Sequence, residues 1–202
     1  MSKTHKKASR TYKSPLREAQ AEATRERVVE AAIRLIAKDP TTFTIPGVAK
    51  SAGVSQPTVY RLFPDKESLT DAAREAVRKR AGVDPSPTIG CEELIARQVH
   101  SILRMSKEPP EVLGALAPLN SSRLSNASVQ ERYAYIAHAL KDDLKGVPAV
   151  TRRRVIQIIN MLYSSAGATI LWRYHLMNEE GADTFAWLCR VLIEAAQREG
   201  KT

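Results

Sequence analysis

Cysteine is scarce in this chain of 202 residues, with only Cys91 and Cys189. No histidine or further cysteine stands near either at metal-ligand spacing, so neither a zinc site nor a disulfide framework is signalled. A chain this long buries a core large enough to do without such staples. Missing too is any apolar run long enough to cross a bilayer, and the basic N-terminus lacks the apolar stretch of a secretory signal. The expectation is a soluble protein of a reducing cytoplasm with no membrane partner. The four histidines, His5, His100, His138 and His175, show no metal-binding or nucleophile-activating spacing, and no glycine-rich phosphate loop is present. No catalytic residue, metal or cofactor is therefore expected, and the chain does not read as an enzyme. Strand-like alternation and internal repeats are absent as well, which leaves an all-α fold.

What the chain has in excess is positive charge. The formal net charge is +9, and residues 1–80 carry 17 Lys and Arg against 9 Asp and Glu, whereas residues 81–202 carry 14 against 13. Almost the whole excess thus lies in the first part, as expected of a segment that neutralises phosphates while the remainder faces something else. A merely solvated basic surface gives the same count, so charge alone leaves both readings open.

Helix signals divide the chain. Residues 1–22 read as a basic, flexible tail, although Ser14 and Pro15 suit an N-cap and a first helical position. Val28, Ala31, Ala32, Leu35 and Ile36 form the stripe of a helix ending near Pro40. Thr44 caps a helix of about two turns whose apolar face, Val48, Ala49 and Ala52, stops at Gly53. Ser55 caps the next, with Pro57 in its first turn and Val59, Leu62 and Phe63 turned inward. Asp65 caps a fourth that keeps helical spacing to Gly82. The Gly- and Pro-punctuated stretch 81–90 marks a boundary between a domain at 23–80 and a second at 88–202. There, apolar faces predict helices ending near Pro109, before Asn120, and through Leu140. One long helix is expected over about 150–177, apolar on nearly every face, and another over about 182–199.

Residues 44–63, TIPGVAKSAGVSQPTVYRLF, have the grammar of a helix-turn-helix: a capped short helix, a glycine turn and a second capped short helix. Ala49 and Ala52 let the helices approach, Gly53 permits the turn, and Val54, Val59 and Leu62 fill the wedge. Gln56, Thr58, Tyr60 and Arg61 are left on the outer face, at the end a recognition helix presents to base edges.

In Thr44, Ala49, Ala52-Gly53-Val54-Ser55, Tyr60, Phe63 and Lys66-Glu67, all in register within residues 24–80, the chain resembles the TetR family of bacterial transcriptional regulators. That resemblance implies a homodimer with one recognition helix of each subunit in successive major grooves of a (pseudo)palindromic double-stranded operator. It also implies a nucleoid-associated protein and a divergent C-terminal domain that binds an effector. It places Ser55, Gln56, Pro57, Thr58 and Tyr60 at the DNA surface and Thr44, Tyr60 and Lys66 at phosphates, with Arg61 a further candidate. Pro46 and Gly47 depart from the family, which often carries polar or charged residues there, so more weight falls on the recognition helix and the tail lysines Lys3, Lys6, Lys7 and Lys13.

The function expected is therefore a sequence-specific repressor released from its operator by a small, mainly apolar effector, with a constitutive or architectural DNA-binding dimer as the alternative. Pairing is expected through the helices at 150–177 and 182–199, because a helix apolar all round is hard to cover within so small a chain. Leu103, Met105, Tyr135, Tyr163 and Trp172 are candidate walls of the effector pocket.

Overall fold

The fold is described here from a computed structural model covering residues 15–83, 86, 87, 90–121 and 126–200. Ten helices and no strand are found among these residues, so the fold is all-α as expected: α1 (Pro15–Lys38), α2 (Ile45–Ala52), α3 (Gln56–Leu62), α4 (Lys66–Arg80), α5 (Cys91–Met105), α6 (Pro110–Ser121), α7 (Asn126–Ala139), α8 (Ala149–Leu162), α9 (Ser165–Arg173) and α10 (Glu179–Glu199). The tail lysines Lys3, Lys6, Lys7 and Lys13 lie outside the described residues.

Residues 15–22, assigned by sequence to a flexible tail, instead begin α1. Pro15, Leu16 and the residues after them carry no apolar stripe, and burial on α1 starts only at Val28. Three turns thus stand clear of the core. Good helix formers sustain them (Leu, Arg, Glu, Ala, Gln), which periodicity cannot register because nothing there is buried.

The single helix expected over 150–177 is two helices, α8 and α9, bent by 60° at the break. Ser164 is the cause. Its backbone is extended, its hydroxyl accepts a hydrogen bond from Gly167 N–H at 3.2 Å, and it thereby caps a new helix. Gly167 is buried where a Cβ would sit 2.3 Å from the Leu162 carbonyl oxygen, so only glycine lets α9 fold back against the end of α8. Two short helices burying different faces read in sequence as one helix without a polar side. Among the described residues no single helix is long and apolar enough to cross a membrane; α8 and α9 reach that length and composition only as this bent pair.

One contiguous apolar core runs from Val28 to Ala196. α1 packs on α2 and α4 and, across the expected domain boundary, on α6, which also meets α4 and α9. Gly114 of α6 makes the approach possible: a Cβ there would lie 3.4 Å from Ala37 Cβ and 3.5 Å from the tip of Trp172. α5 packs on α10, and α8 on α7 and α10. Polar ties cross the boundary as well, among them Arg104 Nε, which donates to the Arg80 carbonyl at 2.9 Å. Arg74 Nε of α4 donates to the Leu119 carbonyl of α6 at 2.9 Å, and Arg80 pairs with Glu30 of α1 and with Glu108, 3.6 Å away. Cys91 and Cys189 are both buried and unbridged; burial pushes their thiols up to about 11 and about 12, so both stay protonated and poorly nucleophilic at neutral pH.

Candidate nucleic-acid interface

The turn between α2 and α3 is fixed by caps at every end. Thr44 Oγ1 accepts from Gly47 N–H at 3.2 Å and opens α2. At its far end Gly53 adopts φ 66°, ψ 39°, a left-handed conformation costly for residues with a Cβ, and Val54 N–H returns to the Ala49 carbonyl at 3.0 Å. Ser55 follows at once. Its Oγ accepts from Thr58 N–H at 3.3 Å and lies 2.8 Å from Thr58 Oγ1. Asp65 then caps α4, accepting from Ser68 N–H at 2.7 Å while the Ser68 hydroxyl accepts from Asp65 N–H, a reciprocal box.

With both ends pinned, the faces of α3 are decided by what can be buried. Val59 and Phe63, four residues apart, are buried to 0% and 2% exposure against Val48, Ala49 and the rest of the core, with Leu62 half-buried beside them. The opposite side holds Gln56, Pro57, Tyr60 and Arg61, all exposed, with Tyr60 at 51%. Gln56, Tyr60 and Arg61 make no hydrogen bond or ion pair among the described residues, so their polar ends face outward unengaged. Thr44 and Ser55 are also exposed, but their hydroxyls hold helix ends, and Thr58 is half-buried against Ser55. Lys66, one turn beyond, lays its ammonium 4.9 Å from the centre of the Phe43 ring and remains exposed. All eight predicted positions thus lie on α3, at the caps of α2 and α3, or at the start of α4.

One supporting residue escaped the sequence reading. Arg25 stacks its guanidinium 4.4 Å from the Phe63 ring centre and donates to the Leu62 carbonyl at 3.4 Å, capping the C-terminus of α3 from α1. Nothing in the local pattern marks it, because Arg25 precedes the apolar stripe. The departure at Gly47 also has a structural reason. A Cβ on Gly47 would come within 3.1 Å of Thr44 Oγ1 and 3.6 Å of Leu35, so the start of α2 is pressed against α1 and its own cap.

Residues 28–73 match the family of bacterial regulatory proteins, tetR family. The N-terminal domain belongs to the TetR family. The match begins at Val28, the same residue at which burial on α1 begins, so the three exposed turns precede the shared core. The nucleoid occlusion factor SlmA of Marinobacter nauticus is 39% identical over 64 residues, which are 29% of this chain and 33% of that protein. The match thus spans about a third of that relative's length. No solved structure matches the chain.

Beside the TetR-family domain, and sharing a wall with it, lies a cavity of about 200 Å³. Val77 and Ala81 of α4 form one side, Ile102 and Met105 of α5 another, and Leu116 and Leu119 of α6 a third, with the start of α9 closing it. Of the five pocket residues expected from sequence, Met105 and Tyr163 line this cavity. Leu103, Tyr135 and Trp172 are packed elsewhere against the core. Tyr163 presents its ring, since its hydroxyl donates to the Leu94 carbonyl and burial raises its ionisation well above the ordinary range.

Proposed function

We propose that the chain is a sequence-specific DNA-binding transcriptional regulator that acts as a homodimer, a repressor that leaves its operator when a small, mainly apolar effector binds. The observation that carries this reading is the outward edge of α3: Gln56, Tyr60 and Arg61 project unengaged while Val59 and Phe63 are spent on the core. Such an edge fits the major groove, where amide and guanidinium groups read base edges and neighbouring hydroxyl and ammonium groups hold phosphates. Thr44, Ser55, Thr58 and Lys66 take the second role, with Pro57 against the groove wall. The TetR-family match of the domain that contains this edge supports the same reading. DNA binding of this kind places the protein on the nucleoid in the cytoplasm.

Pairing is supported by the apolar side chains left uncovered on two helices that pack together. Ile158 and Met161 of α8 and Trp187 and Val191 of α10 are 37%, 59%, 62% and 39% exposed, at spacings that put each pair on one helix face. A twofold axis through α8 and α10 covers them and fixes the separation of the two α3 helices, which reading one face of DNA requires at about 34–36 Å. An effector that favours another separation weakens binding, and moving the equilibrium from mostly bound to mostly free takes about 5.5 kcal/mol of differential affinity. The cavity walled by α4 offers a place where burial can supply that. A constitutive DNA-binding dimer without a ligand is the second reading, favoured by the similarity to a nucleoid occlusion factor of Marinobacter nauticus.

The test is affinity at fixed salt for a selected site and for a scrambled duplex. Gln56→Ala and Tyr60→Ala are expected to weaken the selected site about tenfold or more each and the scrambled duplex little, as the loss of base contacts worth about 1–3 kcal/mol requires. Equal losses on both duplexes overturn the base-reading assignment.

A further inference from the structure

The cavity at the α4–α5–α6 junction has a chemistry narrower than apolar. Its walls are mostly hydrocarbon, yet Arg74, Arg78 and Gln98 line it and, among the described residues, no carboxylate does. The Arg74 side chain is 18% exposed: it pairs with Asp71 one turn back on α4, and its Nε donates to the Leu119 carbonyl at 2.9 Å. Leu119 is in the last turn of α6, where carbonyls have no partner within the helix, so the guanidinium is acting as a cap supplied from the DNA-binding domain. Ser101 of α5 also lines the cavity, and its hydroxyl makes no hydrogen bond among the described residues.

Size narrows the occupant further. An apolar cavity of about 150 Å³ holds a benzene ring, so about 200 Å³ accommodates one ring carrying a small polar group. A cation is disfavoured because desolvating it beside a guanidinium leaves it without a counter-charge. A carboxylate, by contrast, meets a planar fork of donors matched to it in geometry.

We propose that this cavity binds a small aromatic carboxylate, one ring with one carboxyl group, and that Arg74 exchanges the Leu119 carbonyl for the ligand's carboxylate. The proposal rests on the reading of the cavity as the effector site. The ring lies against Val77, Ile102, Met105 and Leu116, and the carboxylate sits between Arg74 and the Ser101 hydroxyl. Binding thereby removes a tie between α4 and α6, and α4 is the helix that follows the recognition helix through a reciprocal cap. The ligand reaches the DNA-binding domain by direct contact with α4 and needs no relay.

Benzoate, benzyl alcohol and benzylamine share the ring and differ in charge, so calorimetric titration of the full chain with each is the test. Benzoate is expected to bind at least tenfold more tightly than the alcohol or the amine. Arg74→Gln is expected to erase that preference, and Ser101→Leu, which fills the cavity without touching Arg74, to abolish binding of all three while helical circular dichroism is retained. Equal affinity for the three compounds, a preference that survives Arg74→Gln, or no binding of benzoate by the folded chain overturns the proposal. DNA release is read separately by fluorescence anisotropy of a labelled operator. Benzoate that binds with the stated preference and leaves DNA affinity unchanged upholds the site and overturns effector control.

Discussion

Tyr60 of α3 and Phe63, the residue that ends it, stand three residues apart and show how burial sorts side chains of similar bulk. Phe63 is 2% exposed and held by Arg25, whereas Tyr60 is 51% exposed and touches nothing polar. Phe63→Ala is therefore expected to lower unfolding free energy by about 3–5 kcal/mol, the usual cost of emptying a core aromatic site. Tyr60→Ala is expected to change it by less than about 0.5 kcal/mol, as an exposed substitution does. Urea denaturation of the two variants checks both values. Acid sensitivity also belongs to single residues. Asp65 is held below its ordinary 3.8 chiefly by the hydrogen bond from Ser68 N–H, and Glu75 and Glu92 lie below 4.5 through their bonds from Arg78 and Arg190. Groups with lowered values add stability above their ordinary pKa and lose it as pH falls through the folded one. The melting temperature should stay level down to about pH 4.5 and decline below it, with a shallower decline in Asp65→Ala; a decline beginning near pH 6 contradicts this.

Helices were most legible where a cap and an apolar stripe coincide. Thr44, Ser55 and Asp65 each stand immediately before the helix they cap, because a side-chain oxygen that satisfies an orphan N–H is a local device visible in local sequence. The outward placing of Gln56, Pro57, Tyr60 and Arg61 was legible for a related reason, since a seven-residue helix has few faces to choose between. Two features were not. The early turns of α1 are helical without being buried, and the break at Ser164 depends on Gly167 meeting the Leu162 carbonyl, a contact made only once α9 has folded back. The cavity was half legible for a related reason: Met105 and Tyr163 reach it, but α4 supplies a wall that a boundary placed at 81–90 had assigned to another domain. Close backbone approach recurs at the start of α10, where a Cβ on Gly181 would lie 1.7 Å from the Leu176 carbonyl oxygen. Gly181→Ala is expected to destabilise by about 1–3 kcal/mol, the range of an overpacked site, and to exceed Gly53→Ala, where the added methyl meets open space and only the backbone is strained. Thermal denaturation of both decides the order.

Across the whole molecule the separation into an N-terminal and a C-terminal part is less sharp than charge and punctuation suggest. α1 and α4 lie on α6, Arg74 and Arg80 reach over the boundary, and a single core connects Val28 to Ala196. A change at the α4–α6 contact therefore bears on α3 by short mechanical steps. The uncovered Ile158, Met161, Trp187 and Val191 lie in the C-terminal part, so under the proposed pairing the spacing of the two α3 helices is set outside the domain that carries them. Selection of bound duplexes from random sequence, at one stated salt concentration, reads the outer edge of α3 and this spacing together. Two related half-sites with centres about 10–10.5 base pairs or a multiple apart are the expected product. Enrichment of no common sequence, or of one unrepeated half-site, contradicts the account.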